Sequence, residues 1–223
     1  MTTALILPAY GRGTRMGLDK LWSDIDGRPL LAWTLDGLAS AEVLDVVVVA
    51  APADRWDAIT HLVHDAGLPF PRLIEGGDRR QDSVRQGLEQ LTGCDWVCVH
   101  DAARPLVTGE LVRRALEGAR ASGAATTAVP CVDTIKTVHD GRVVRTLDRS
   151  ELMATQTPQA FHTSLLQRAH AQAVAAGTVA DDDALLVELL GVEVAVVAGD
   201  PRNIKVTYPH DLDLVRALRA AAP

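Results

Sequence analysis

The sequence predicts an α/β protein wound around a mostly parallel sheet, on three observations. Short aliphatic runs recur along the chain, separated by segments of helical periodicity. The first run leads directly into a glycine-rich basic loop, as in open sheets that bind ligands beyond the carboxyl ends of their strands. The rhythm breaks once, between Cys131 and Phe161, around the hairpin dipeptide Asp140-Gly141.

Ala4 to Leu7 is uniformly apolar, as a strand covered on both faces must be. Pro29 to Leu38 places Leu31, Leu35 and Leu38 at helical spacing, and Val46 to Ala51 is a second buried strand, completing a β-loop-α-β unit. Ala53 to Ala66 predicts a helix closed by Gly67, and Arg72 to Ile74 a short strand before Glu75-Gly-Gly-Asp78. Helix Gln81 to Leu91, strand Trp96 to His100, helix Leu111 to Ala121 and strand Ala124 to Val129 follow, with right-handed crossovers expected. Thr134 to Val138 and Arg142 to Leu147 form the hairpin. An isolated hairpin is only marginally stable, so it is read as an arm leaning on a second copy of the chain, with packing across its own domain as the alternative. Leu165 to Ala176 and Asp182 to Leu190 return to helix, Val192 to Val197 and Ile204 to Thr207 to strand, and Asp211 to Ala220 to a closing helix.

Composition bounds the function. At 223 residues, 48% hydrophobic and 23% charged, the chain suits one well-buried soluble domain spanning 1–223. No window approaches the roughly 18 apolar residues of a membrane span, and Met1-Thr-Thr carries no export signal, so a cytoplasmic protein is expected. A net charge of −7 argues against general nucleic-acid binding. Cys94, Cys98 and Cys131 are odd in number and lack C-x-x-C spacing, so they read as small buried hydrophobes; His61 and His64 read as a solvated helix face.

Against that acidic background, the first loop is informative. Gly11, Gly13 and Gly17 free the backbone to point N–H groups at a ligand, and Arg12, Arg15 and Lys20 concentrate positive charge, which together suit a polyphosphate. Met16 stands where the dinucleotide fingerprint needs a third small residue, and Leu18-Asp19 separates Gly17 from Lys20, so neither that fingerprint nor a P-loop fits.

Further candidates follow later strands. In Glu75 to Ser83, paired glycines permit close backbone approach, and Asp78 and Ser83 can read a polar base edge; capping of the next helix explains Asp82 equally well. Within His100-Asp-Ala-Ala-Arg-Pro105, Asp101 suits ribose hydroxyls or a magnesium ion, while Ala102 and Ala103 leave room for a ligand. An internal ion pair with Asp101 is the alternative for Arg104. Arg149 lies at the base of the arm, and Lys205 must aim its amine at a phosphate or at a structural carboxylate. Asp181 to Asp183 suits a helix N-terminus, with a ligand role for Asp182 the weaker reading.

Taken together these motifs resemble the 2-C-methyl-D-erythritol 4-phosphate cytidylyltransferase family along nearly the whole chain. The resemblance rests on Pro8 to Met16 with Lys20, Gly76-Gly-Asp with Asp82-Ser-Val, and His100 to Pro105. It continues through Asp133-Thr-Ile-Lys136, Gln156-Thr-Pro-Gln159, Asp182-Asp-Ala184 and Asn203-Ile-Lys-Val-Thr207. It implies a single Rossmann-like nucleotidyltransferase domain with a dimerisation arm over 131–160. The implied reaction joins CTP to the sugar-alcohol phosphate and releases pyrophosphate, with magnesium or another divalent cation on the nucleotide. Protein ligands to that metal are not identified by the motifs. Arg15 and Lys20 match the family's transition-state cations; Arg149, from the partner's arm, and Lys205, with Asp182, match substrate contacts. Pro8, Ala9, Tyr10, Gly11, Gly13, Gly77, Asp78, Ser83, Asp101 and Ala102 match the nucleotide site.

The chain departs from the family's usual alanine at Tyr10, proline at Asp19, glutamine-tyrosine at Leu21-Trp22 and threonine at Asp181, and Arg202 stands at a position often acidic. A cytidylyltransferase for another polyol phosphate, such as ribitol 5-phosphate, and a catalytically degenerate nucleotide-binding regulator are the competing readings.

Overall fold

A computed structural model describes residues 1–10 and 19–221. Strand β1 (Thr3–Pro8) is followed by a small hairpin of β2 (Asp24–Ile25) and β3 (Arg28–Pro29), and helix α1 (Leu30–Ala39). Next come β4 (Val46–Ala50), α2 (Trp56–Asp65), β5 (Arg72–Ile74), α3 (Arg80–Glu89), β6 (Trp96–Val99), α4 (Gly109–Ser122) and β7 (Ala124–Pro130). The arm strands β8 (Lys136–His139) and β9 (Arg142–Thr146) precede β10 (Met153–His162), α5 (Thr163–Ala176), α6 (Asp183–Glu188), β11 (Ala195–Ala198) and α7 (His210–Ala220).

Seven strands form one sheet in the order β11-β7-β10-β6-β1-β4-β5. β10 runs antiparallel to both of its neighbours, and the other pairings are parallel. The expected mostly parallel α/β sheet is therefore present. Its strands alternate between two cores: Leu5 and Leu7 pack with α1, α2 and α4, whereas Ala4 and Ile6 pack with α3, α5 and α6. This two-sided burial explains why β1 carries no polar alternation. The predicted stripe of Leu31, Leu35 and Leu38 is fully buried, each side chain contributing about 1.5–3 kcal/mol by leaving water. Gly67 and Gly123, at φ +74° and +91°, end α2 and α4 in the left-handed region that favours glycine.

The predicted elements 53–66 and 192–197 shift: a 3-10 turn precedes α2, and β11 starts at Ala195. One expectation is overturned. Residues 204–207 form no strand but a strap, in which the Val206 N–H donates to the Ala103 carbonyl at 2.9 Å and the Val206 side chain is buried. Among the cysteines only Cys98 is fully buried, and burial pushes its thiol up to about 12; Cys94 and Cys131 are half-buried.

β10 has no counterpart among the predicted elements. It carries Thr155, Gln156, Thr157, Pro158 and Gln159 in mid-sheet, and proline withholds a ladder donor, so nothing in its pattern reads as a central strand. Its register with β7 shifts between Thr155 and Gln159. The hairpin is as expected: Asp140 and Gly141 adopt φ +49° and +73°, and every residue of β8 and β9 is exposed.

Candidate functional site

Among the described candidates, Pro8 to Tyr10, Gly77 and Asp78, and Asp101 and Ala102 lie at or just after the carboxyl ends of β1, β5 and β6. At the end of β1 the Ala9 N–H donates to the Ala50 carbonyl at 2.8 Å, carrying Pro8, Ala9 and Tyr10 over the edge of the sheet. Gly11, Gly13 and Arg15 lie outside the described residues. Lys20 opens a 3-10 turn (Lys20–Trp22), and its Nζ donates to the Val206 carbonyl at 3.1 Å. Asp19 turns aside to Arg55 at 3.3 Å, whose guanidinium lies 5.2 Å from the Trp22 ring centre. Tyr10, Asp19, Leu21 and Trp22, four of the departures from the family pattern, line one cavity of about 150 Å³ with Arg55.

After β5, a Cβ on Gly76 would overlap Tyr10, and one on Gly77 would overlap Asp82. These side chains of the chain itself are what the two glycines admit. The Gly77 N–H donates to the buried Ser83 Oγ at 3.1 Å. Asp82 accepts from the Arg79 backbone N–H at 3.3 Å and from its Nε at 2.9 Å, so it caps α3. Asp78 lies between these glycines and the capping pair.

The densest charge lies beyond β6. The Asp101 N–H donates to Thr157 Oγ1 of β10 at 3.0 Å, fixing the backbone where the strand ends. The Asp101 carboxylate meets Arg80 Nε at 2.7 Å through Oδ1 and Lys205 Nζ at 2.7 Å through Oδ2. Lys205 thus faces a carboxylate, one of the two partners expected for it. Arg104 reaches Asp101 only at 4.0 Å and donates through Nη1 to the Asn203 carbonyl at 2.7 Å, holding the 203–207 strap. Burial alone would raise the Asp101 pKa, but Arg80 and Lys205 outweigh it and hold the carboxyl well below the usual carboxylate range.

Arg80 continues the chain of charge. Its Nη1 meets Asp183 Oδ2 at 2.7 Å, and Asp183 Oδ1 lies 3.0 Å from His170 Nε2. Asp183 and His170 are both buried. Asp183, despite its burial, is held low by Arg80 and His170. None of the three was singled out as a site residue: Arg80 sat in a polar loop, Asp183 belonged to the Asp182-Asp-Ala184 motif but to an acidic run that the helix dipole explains, and His170 lay on a helix.

Asp182 has structural partners for both oxygens, capping α6 through the Leu185 N–H at 2.9 Å and accepting from Gln159 Nε2 at 3.0 Å. This is the helix-terminus reading. Ala102 is buried, with its carbonyl accepting from Thr34 Oγ1 at 2.8 Å. Arg149 is exposed on the arm and donates to the Val132 carbonyl at 3.0 Å, well removed in sequence from the strand-end cluster. Among the described residues no three His, Cys, Asp or Glu side chains gather as a metal site, and no helix is long and apolar enough to cross a membrane.

The arrangement puts two lysine ammonium groups and a firmly ionised carboxylate at one sheet edge, suited to an anionic ligand with polar hydroxyls. Comparison with known proteins identifies relatives along nearly the whole chain. The profile of the 2-C-methyl-D-erythritol 4-phosphate cytidylyltransferase family matches residues 3–219. The protein of that name from Synechococcus sp. (strain WH7803) is 45% identical over 221 residues, covering 97% of this chain and 98% of that protein. Its Bacillus cereus counterpart is 41% identical over 211 residues, covering 93% of each. Among solved structures, the enzyme from Thermus thermophilus superposes with a TM-score of 0.78 at 36% identity, covering 97% of this chain and 98% of that one. The 4-diphosphocytidyl-2C-methyl-D-erythritol synthase of Anaerococcus prevotii superposes with a TM-score of 0.87 at 28% identity, covering 98% of both.

Proposed function

Since the chain belongs to the 2-C-methyl-D-erythritol 4-phosphate cytidylyltransferase family, we propose that it transfers the cytidylyl group of CTP to 2-C-methyl-D-erythritol 4-phosphate in the non-mevalonate route to isoprenoid precursors. A phosphate oxygen of the acceptor attacks the α-phosphorus of CTP, the new P–O bond forms as the α–β bond breaks, and pyrophosphate leaves. The observation that carries this reading is the meeting of β1 and β6 chemistry: Lys20 Nζ donates to the carbonyl of Val206, the neighbour of Lys205, while Lys205 Nζ meets Asp101. Two lysines from distant parts of the chain are thus tied to one strap, which supports a role in neutralising an anion that approaches a polyanion.

A phosphate monoester is already nucleophilic at neutral pH, so no covalent intermediate or general base is required. The protein's task is alignment and neutralisation of charge developing on the α-phosphoryl oxygens and on the leaving pyrophosphate. Lys20 and Arg15 serve the transition state, Lys205 the acceptor phosphate, and Asp101, Gly77, Asp78 and Ser83 the nucleoside. When bound, magnesium carried on the triphosphate supplies further neutralisation. The residues fit that arrangement, because phosphate oxygens can supply most of its ligands and Asp101 is the ionised carboxylate beside Lys205. A net charge of −7 supports small anions held locally rather than a nucleic acid as the partner.

Purified protein incubated with CTP, magnesium and 2-C-methyl-D-erythritol 4-phosphate is expected to release pyrophosphate. Release only with ribitol 5-phosphate would transfer the assignment to that acceptor, and nucleotide binding without release with either acceptor would make the protein a non-enzyme.

The arm supports a homodimer with shared sites. Val138, Val143 and Val144 are more than half exposed on a hairpin whose strands bury none of their residues, and Arg149 is offered outward at its base. Mixed Lys20→Ala and Arg149→Ala subunits are expected to recover activity that each variant lacks alone, because one site of a mixed dimer retains both cations. Absence of recovery, with subunit exchange demonstrated by mass, would rule out the shared site.

A further inference from the structure

The Asp101 carboxylate has two unlike partners. Lys205 is a single point of charge whose side chain remains 42% exposed, at the solvent rim of the site. Arg80 lies inward, with its side chain 22% exposed, and its planar fork reaches two carboxylates at once: Nε to Asp101 and Nη1 to Asp183, each at 2.7 Å. A lysine ammonium cannot reproduce that two-sided geometry. Asp183 is itself anchored, with Oδ1 at 3.0 Å from His170 Nε2 and its backbone N–H donating to Gln159 Oε1 at 3.2 Å. A chain of buried charge therefore runs from α5 and α6 through Arg80 to the end of β6. It terminates on one oxygen of Asp101.

We propose that Arg80 is a positioning residue for cytidylyl transfer: it pins Asp101 through Oδ1, so that Oδ2 faces the ligand and Lys205 is the exchangeable partner. This rests on the reading of Asp101 as a nucleotide contact. A ligand group arriving at Asp101 displaces the exposed ammonium, which is then available to the acceptor phosphate, while the inward guanidinium keeps the carboxylate from turning after it. Without Arg80, Oδ1 loses its close cation, and the carboxylate is free to follow Lys205.

The test is a double-mutant cycle read by calorimetric titration of magnesium-CTP into the full-length protein, with thermal unfolding recorded for every variant. Arg80→Gln is expected to raise the Kd for CTP about tenfold in the natural background, the scale of a lost charged hydrogen bond. In an Asp101→Asn background the same change is expected to cost less than about twofold, because the group that Arg80 orients is no longer a carboxylate. Arg80→Lys, which keeps a buried positive charge, is expected to fall between, and it carries the cycle if Arg80→Gln does not fold. Equal penalties in both backgrounds, accompanied by equal drops in unfolding temperature, would reduce Arg80 to a structural residue and overturn the proposal while leaving Asp101's role intact. An Asp101→Asn protein that binds CTP with unchanged affinity would overturn both.

Discussion

Replacing Lys20 with alanine is expected to lower kcat by about two orders of magnitude or more, while the fold and the KM for CTP change much less. Removing one preorganised donor aimed at developing charge typically costs about 10²–10³ in rate. Lys20 sits in a short turn whose buried side chain is that of Leu21, so the substitution removes little packing. Its ammonium already points across to the 203–207 strap, donating to Val206, so the charge is held at the strand ends before substrate arrives. Groups that bind ground and transition states alike shift KM, whereas a cation serving charge that appears only during transfer shifts kcat. Steady-state kinetics on a variant with native circular dichroism would check this. A turnover number within about twofold of the parent would remove Lys20 from the chemical step.

The second large effect concerns acid. His100, between the end of β6 and Asp101, is fully buried. Burial pushes its imidazole down to about 3; the Asp101 charge and a hydrogen bond with the Arg104 backbone oppose that shift, while the Arg104 and Arg80 charges add to it. The unfolded chain takes up the histidine proton near pH 6.5, but the folded protein does not until about pH 3. Within that window the unfolded state binds one more proton, so folding stability falls as pH drops, by about 1.4 kcal/mol per pH unit from this residue alone. Asp101 and Asp183 act lower, since their depressed pKa values keep their contribution intact until pH falls below about 4. Denaturant unfolding from pH 6.5 to 4.5 is therefore expected to show a steeper decline in the parent than in His100→Leu, which keeps a similar volume without the titrating ring. Parallel declines would show that His100 is not the group responsible.

How far the sequence could be read depended on whether a feature was local. Leu31, Leu35 and Leu38 repeat at the helical period because one face of α1 is buried, and Val46 to Ala50 is uniformly apolar because β4 is covered on both sides. Asp140-Gly141 was legible because both positions need positive φ. Asp101 could be picked out as a polar residue at the end of an apolar run, and Lys205 as a cation inside one. Their pairing could not, since they lie 104 positions apart and periodicity carries no information about contacts at that range. Arg80 was hidden for the same reason, because its value lies in two carboxylates on distant elements. β10 escaped because its buried polar groups serve other parts of the molecule: Thr157 accepts from Asp101, Gln156 donates to the Asp200 carbonyl and Gln159 to Asp182. Such a strand is stabilised by its partners, and it does not announce itself through hydrophobic pattern.

The orientation of β10 also determines what kind of object the arm is. Because β10 lies beside β7 and runs antiparallel to it, the polypeptide leaves the sheet at Pro130 and re-enters at Met153 on the adjacent rung, with those two residues directly opposite each other. Topologically the arm is the distal part of one long meander, with no crossover threaded through it. Its length and side chains can therefore change without altering the order of a single strand in the sheet.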